Sequence, residues 1–256
     1  MTAALAATLA GVLAVLGRWL GWLDTPGAVA AAAVGTAVFA GGGTAGAALL
    51  AIFFVSGSLL TRHTSRSHSN RLDAQTSGRN ARQVVANGGC AAAGALLALG
   101  WEGGWAVLLG ALAAAQADTW ATEIGAWSGR PPRLITTGAA VPPGTSGGVT
   151  LLGSTGGLIG SAIMAAAALA LGVSSTVAIA GLLAGFAAMM WDSVLGASVQ
   201  GSYHCATCDA TSEQRLHTCG SKTRLVRGWS WLDNDAVNLI ATCSGGAVAV
   251  ALWSVL

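Results

Sequence analysis

The chain has 256 residues and a formal net charge of +2; 54% of its residues are hydrophobic and only 9% are charged. Soluble domains carry about 25% charged residues because they need a solvated surface, so this composition excludes an ordinary soluble domain. It also excludes a disordered chain. Apolar runs of about 20 residues predict a polytopic membrane protein instead. We expect one all-α membrane domain over residues 1–256, with about eight transmembrane helices.

Apolar runs in chain order predict the helices. The run at 2–20 has no basic stretch before it, so we expect a retained helix rather than a cleaved signal. The runs at 26–40 and 43–60 are separated by a Gly-rich centre. They form either a tight hairpin of two short spans or one span with a re-entrant piece. The remaining runs lie at 84–100, 104–127, 153–171, 175–200 and 236–255. Together they predict a Gly- and Ala-rich bundle of seven or eight helices.

The polar residues are concentrated in four loops. With eight spans these loops fall on one face, and they contain all twelve basic residues of the chain. The loops at the other face carry one charged residue, Glu102. Cytoplasmic loops are enriched in Lys and Arg, so we expect an integral protein of the cell membrane with these four loops in the cytoplasm. The four polar loops are 18–25, 61–82, 128–150 and 201–235.

Three acidic residues, Asp118, Glu123 and Asp192, interrupt apolar runs. An ionisable group inside a span is costly unless it is paired or hydrated, which predicts a functional site. A structural hydrogen bond between helices is the alternative. Glu123 lies about 140° around an ideal helix from Asp118, so the two acids cannot both face one ligand. Either Glu123 pairs with a neighbouring element or the helix is distorted.

A Gly-rich stretch at 142–150 precedes another run that opens with glycines. Free backbone N–H groups and the positive end of a helix dipole suit a phosphate. A flexible loop or a close-packing site is the alternative. The candidate phosphate contacts are Gly144, Thr145, Ser146, Gly147 and Gly148.

Two arginines, Arg79 and Arg82, precede the fourth run. Guanidinium groups three residues apart can grip a diphosphate through bidentate hydrogen bonds. Gln83 and Asn87 continue that face one helical turn apart. The alternative is that the arginines anchor the chain at the membrane surface and an amide caps the helix.

The last run begins with a cluster of acids and amides. Asp235 and Asn238 share a face, and hard oxygen ligands of this kind suit Mg²⁺ held jointly with phosphate oxygens. The alternative is an acidic cap at the helix N-terminus, which accounts for part of the cluster.

The 201–235 loop contains four soft ligands within fifteen residues: Cys205, Cys208, His217 and Cys219. A Cys-x-x-Cys pair with a second pair nearby is typical of a zinc knuckle, although a His-x-Cys pair is tighter than usual. The alternatives are a structural Zn²⁺ and reduced, unliganded thiols. His204 is a second candidate for the fourth ligand.

Six strings spread over nearly the whole chain resemble an integral-membrane family. It contains the plant chloroplast phytyl-phosphate kinase and the eukaryotic transmembrane protein 19. The strings are FFVSGSLLTR at 53–62, RNARQVVANG at 79–88, ADTWATEIG at 117–125, VPPGTSGGVT at 141–150, DSVLGA at 192–197 and DNDAVN at 233–238.

The resemblance implies a kinase that converts an isoprenoid monophosphate into the diphosphate, with CTP as the donor. Its partners would be a lipid-like monophosphate, a nucleoside triphosphate and membrane lipid, with no nucleic acid. The alternative is an ion-coupled transporter, which also uses buried acids and broken helices. We disfavour it because the polar groups crowd towards one face.

We expect the site to combine these groups at the cytoplasmic membrane boundary. The phosphates are held by arginines and the glycine loop, Mg²⁺ is held by acids, and Glu123 orients the metal or an arginine. The expected residues are Arg79 and Arg82; 144–148 with Asn87, Ser193, Asn234 and Asn238; and Asp118, Asp192 and Asp235 for Mg²⁺.

Overall fold

The computed structural model describes residues 3–67 and 78–256, and this part of the chain is mostly helical. Arg71 of the predicted basic loop lies outside the described residues. The helices are α1 (Ala3–Trp19), α2 (Thr25–Ser67), α3 (Ala81–Leu97), α4 (Gly103–Gly125), α5 (Leu151–Ala170), α6 (Ser175–Ser198) and α7 (Asn234–Trp253). The strands are β1 (Arg133–Leu134), β2 (Gly148–Val149), β3 (Ser202–Cys205), β4 (Ala210–Ser212) and β5 (Arg224–Arg227).

Four helices are long and apolar enough to cross a membrane by length and composition: α2, α5, α6 and α7. Helix α1 is a shorter apolar helix. The predicted class of a membrane helical bundle is therefore confirmed. Short strands that the sequence did not predict lie in two polar loops, where β1 pairs with β2 and β3 lies between β4 and β5.

Helix α4 forms the centre of the bundle. Every residue from 108 to 117 is buried, because α3, α5, α6 and α7 pack around the helix. A helix that is apolar on all sides is expected at such a position. Small residues bring the backbones close: a Cβ added to Gly245 of α7 would lie 2.7 Å from the carbonyl oxygen of Gly110.

Helix α2 is broken at Gly43, whose φ of 57° and ψ of −151° are not helical. A Cβ on Gly46 would lie 3.2 Å from the Val38 carbonyl oxygen, although eight residues of straight helix span about 12 Å. At the other end, Gly27 and Ser58 both contact Arg79. The segments 25–42 and 44–67 therefore fold back on each other, as the hairpin alternative predicts.

Three helices begin directly after polar loops and are capped by loop side chains. Asn80 Oδ1 accepts from the Gln83 N–H at the start of α3, and Gln83 Oε1 accepts from the Asn80 N–H. Thr150 caps α5, and Asp233 caps α7. Each cap satisfies an N–H group that the first helical turn leaves unpaired. The acidic-cap alternative at the start of α7 therefore describes Asp233.

Candidate active site

A cavity of about 790 Å³ opens where the four polar loops meet the helix ends. Every one of these loops contributes to its lining, so the described parts of the loops gather at one end of the bundle. The predicted site residues that line the cavity are Arg79, Asn87, Asp118, Glu123, the stretch 144–148, Asp192, Ser193, Asn234 and Asn238.

Arg79 is fixed in the cavity wall by both its backbone and its side chain. Its N–H donates to the Trp22 carbonyl oxygen at 2.9 Å, and its carbonyl oxygen accepts from the Asp24 N–H at 3.1 Å. Its Nη1 donates to Ser58 Oγ at 2.7 Å. Burial lowers the pKa of the Arg79 guanidinium, and the Glu123 carboxylate opposes that shift. Arginine keeps its proton in proteins, so the wall carries a positive charge.

Glu123 contacts a neighbouring helix instead of sharing one direction with Asp118. Thr61 Oγ1 of α2 donates to Glu123 Oε1 at 2.9 Å, and Glu123 is only 8% exposed. Of the two alternatives for Glu123, pairing with a neighbouring element and distortion of its helix, the structure shows the pairing. The Asp118 carboxylate still interacts electrostatically with those of Glu123 and Asp192.

Two buried side-chain polar atoms within residues 3–67 and 78–256 have no hydrogen-bond partner: Asp192 Oδ2 and Trp22 Nε1. Both residues line the cavity. Buried polar atoms are normally paired, so an unpaired carboxylate oxygen in a cavity that Asp118 also lines favours a cation. Mg²⁺ prefers carboxylate and phosphate oxygens, and the oxygens of Asp118 and Asp192 fit that preference.

Two glycines of the Gly-rich loop have different surroundings. Gly147 has a φ of 77° and packs so closely on α6 that an added Cβ would overlap the backbone of Ala197. The close-packing alternative therefore describes Gly147. Gly144 has a φ of 86°, and an added Cβ there would meet open space. This part of the loop is accessible from the cavity.

Glu213 joins the Gly-rich loop to the end of α6. Gln200 Nε2 donates to Ser146 Oγ at 2.9 Å and to Glu213 Oε2 at 3.2 Å, and Ser146 Oγ donates to Glu213 Oε1. Glu213 also lines the cavity. The sequence gives no signal for this role, because Glu213 is one exposed acid in a polar loop.

Arg82 and Asp235 do not line the cavity, contrary to the expectation for both. Arg82 Nη2 lies 2.7 Å from Asp233 Oδ2, and its Nε lies 3.6 Å from Asp235 Oδ2. These ion pairs connect the starts of α3 and α7. Arg62 of the same 61–82 loop and Arg130 of the 128–150 loop line the cavity together with Arg79, so part of its positive charge comes from arginines that were not expected there.

The four soft ligands lie outside the cavity lining. Each offers one ligand atom, and the four atoms lie within 4.8 Å of one another. The His204 ring Nε2 lies 3.0 Å from Asp209 Oδ1. His217, and not His204, is therefore the histidine that joins the three cysteines.

The fold and the cavity define an integral membrane protein with a polar site at one end of its helical bundle. The chain matches the family model "Integral membrane protein DUF92" over residues 8–246 and belongs to this family. This membership confirms the resemblance drawn from the six strings. No solved structure matches the chain.

Three relatives match most of the chain. The "Uncharacterized membrane protein MJ0933" of Methanocaldococcus jannaschii is 28% identical over 96% of this chain and 92% of its own length. "Protein PGR" of Arabidopsis thaliana is 31% identical over 86% of this chain and 85% of its own length. "Protein VTE6, chloroplastic" of the same plant is 28% identical over 90% of this chain, which spans 65% of that relative.

Proposed function

We propose that this protein is a membrane kinase that transfers a phosphoryl group from a nucleoside triphosphate to an isoprenoid monophosphate. CTP is the proposed donor. An oxygen of the monophosphate attacks the γ-phosphorus, and the bond between the γ-phosphorus and the bridging oxygen breaks. The products are the isoprenoid diphosphate and the nucleoside diphosphate. The observation that carries this proposal is one cavity lined by a half-buried arginine, by Asp118 and Asp192, and by an accessible glycine loop.

The division of roles follows from the charges around the cavity. Arg79 binds substrate phosphate, and backbone N–H groups of the loop 144–148 bind nucleotide phosphate. Asp118 and Asp192 hold Mg²⁺, which supplies neutralisation of charge on the phosphates when it is bound. Asn87, Ser193, Asn234 and Asn238 add hydrogen-bonding groups. Positioning and charge neutralisation carry most of phosphoryl transfer.

No strong base is assigned, because a phosphate nucleophile is already ionised at neutral pH. Glu123 has an orienting role. It accepts a hydrogen bond from Thr61 of α2 and interacts electrostatically with Arg79. Glu123 therefore connects α4 to the part of the cavity wall that carries the guanidinium group. Arg82 and Asp235 have no role in this proposal, since their ion pairs lie outside the cavity.

The membrane topology is part of the proposal. Counting the two segments of α2 as separate spans gives eight, with the cavity at the cytoplasmic side of the cell membrane. The isoprenoid tail lies among the Gly- and Ala-rich helices, which places its phosphate at headgroup level. A transporter receives no comparable support, because the cavity lining within the described residues includes none of the far-side loop residues 98–102 and 171–174.

Single-cysteine labelling tests this sidedness in a background without the native cysteines. Positions 137 and 221 should label only from the cytoplasmic side, and position 100, which is exposed with open space around it, only from outside. Labelling of positions 137 and 221 from opposite sides would place the polar loops on different faces and would refute the site.

The activity is tested with purified protein in lipid nanodiscs. Phytyl, farnesyl and geranylgeranyl monophosphate are each combined with CTP, ATP, GTP or UTP, and the isoprenoid diphosphate is measured. We expect at least one pair to give product well above that of Asp192→Asn protein. The proposal fails if well-folded protein gives no diphosphate with any of the twelve pairs in the presence of Mg²⁺.

A further inference from the structure

The loop between α6 and α7 builds a small β-module with the four soft ligands on one side. The Sγ atoms of Cys205 and Cys219 are 3.7 Å apart, and His217 Nδ1 lies 3.2 Å from Cys219 Sγ. Tetrahedral zinc with Zn–S of about 2.3 Å and Zn–N of about 2.0–2.1 Å would separate neighbouring ligand atoms by about 3.5–3.8 Å. The observed spacings are close to these values.

Two turns present the ligands in similar ways. Cys205 pairs with Ala210 at the end of the β3–β4 hairpin, and Cys208 lies in the turn between them. In the second turn, the Gly220 N–H donates to the His217 carbonyl oxygen at 2.8 Å.

The residue after the second ligand of each turn is left-handed. Asp209 has a φ of 50° and Gly220 a φ of 83°; Asp209 is the one non-glycine residue with positive φ among the residues described. A non-glycine residue in this region is uncommon, so the turn at Asp209 is held by its surroundings. Thr207 Oγ1 donates to Ser221 Oγ at 2.9 Å and ties the two turns together.

We propose that Cys205, Cys208, His217 and Cys219 form a structural zinc site that fixes β4 and thereby holds Glu213 against the Gly-rich loop. Four protein ligands close the coordination shell, so this metal has no open position for chemistry. Its role is to order the module. Unliganded thiols account less well for the convergence of all four ligand atoms from two separate turns.

The coupling to the cavity follows from chain connectivity. Glu213 comes directly after β4, which has only three residues, and its carboxylate is the group that Ser146 and Gln200 contact. Short hairpins are marginally stable on their own, whereas a structural zinc site contributes directly to folding. Loss of the metal should therefore release Glu213 and loosen the loop around Ser146.

Metal analysis of the purified, reduced protein is the first test. We expect about one Zn²⁺ per chain, and loss of the metal in Cys205→Ser and Cys219→Ser. His204→Ala and Cys243→Ser are matched controls that should keep it, because neither residue belongs to the cluster. Protein reconstituted with Co²⁺ should show the thiolate charge-transfer absorption of a tetrahedral site. Zinc-free protein without this absorption, or zinc retained in Cys205→Ser, would overturn the site.

Hydrogen exchange of the wild-type chain tests the coupling without relying on a variant. After zinc is removed by a chelator, exchange should rise in 202–227 and also in 144–148, while the middle of α6 stays protected. Exchange that rises in the β-module but not in 144–148 would refute the link through Glu213. Because the readouts are metal content, absorption and exchange, failure here is distinguishable from failure of the kinase assay.

Discussion

Asp192→Asn separates a role in binding a cation from a role in supporting the fold. The substitution keeps the shape of the side chain and removes one negative charge. Asp192 Oδ2 is buried without a partner, and its carboxylate is repelled by those of Asp118 and Glu213. An unsatisfied buried polar atom costs about 1–3 kcal/mol, more when charged, so removing the charge should not destabilise the metal-free protein. Turnover should nevertheless fall.

The expected loss of turnover is about 100-fold or more, because one preorganised charge-stabilising group contributes about 2.7–4 kcal/mol in mutagenesis of other enzymes. The measurements are isoprenoid diphosphate formation at saturating Mg²⁺ and the unfolding temperature without metal. That temperature should stay the same or rise by about 2–4 °C per kcal/mol gained.

Glu102→Gln is the matched control for Asp192→Asn. It removes one acid at the opposite end of the bundle, where Glu102 makes no side-chain cap hydrogen bond. This variant should keep both turnover and unfolding temperature. Near-normal turnover in well-folded Asp192→Asn would remove Asp192 from the site. A large fall in its unfolding temperature would instead identify a structural role, and the reasoning from the unpaired oxygen would be wrong.

Three further substitutions and a metal-removal experiment test other parts of the site. Arg79→Lys keeps the charge but loses the planar fork, so kcat/KM for the isoprenoid monophosphate should fall by about 10-fold or more. Gly147→Ala should lower the free energy of unfolding by about 1–3 kcal/mol, because it combines positive φ with overlap on α6. Arg82→Gln should change unfolding by less than about 1 kcal/mol and leave turnover close to normal, since its ion pair is exposed. Nucleotide binding measured by calorimetry should be lost in buffer without Mg²⁺ and return when Mg²⁺ is added, with no chelator present so that zinc stays in place, because uncompensated acids repel phosphate; binding unchanged without Mg²⁺ would contradict the assignment of Mg²⁺.

Several predicted site residues that line the cavity are those whose burial is costly or whose backbone is unusual. Asp118 and Asp192 are conspicuous because a charge within an apolar run demands a partner or a site. Residues 144–148 are conspicuous because glycine tolerates positive φ and close approach. Both signals are local in the chain. Neither requires knowledge of which helices are neighbours, and the cavity contains all of these positions.

Other positions could not be derived from the sequence, because they depend on contacts between distant parts of the chain. Arg79 and Arg82 are equivalent in the sequence, yet Arg79 is half-buried and donates to Ser58, whereas Arg82 is exposed beside Asp233. The two arginines differ in their position relative to α3: residue 79 precedes the helix, whereas residue 82 lies in its first turn. Along the chain, Glu213 is separated from Asp192 by the end of α6 and by β3 and β4. Its place at the cavity follows from the pairing of β3 with β4, which no local pattern specified.

Arg79 also explains why the break in α2 matters for the site. The hairpin brings 44–67 back to the end of the bundle where α2 began, so Ser58 and Thr61 reach the cavity. Ser58 then accepts from Arg79, and Thr61 donates to Glu123. A straight α2 would carry these two hydroxyl groups more than about 40 Å away from the α1–α2 loop. The positive φ of Gly43 is therefore a requirement of the site as well as of the fold, because it places the hydroxyl groups that contact the half-buried Arg79 and the acid Glu123.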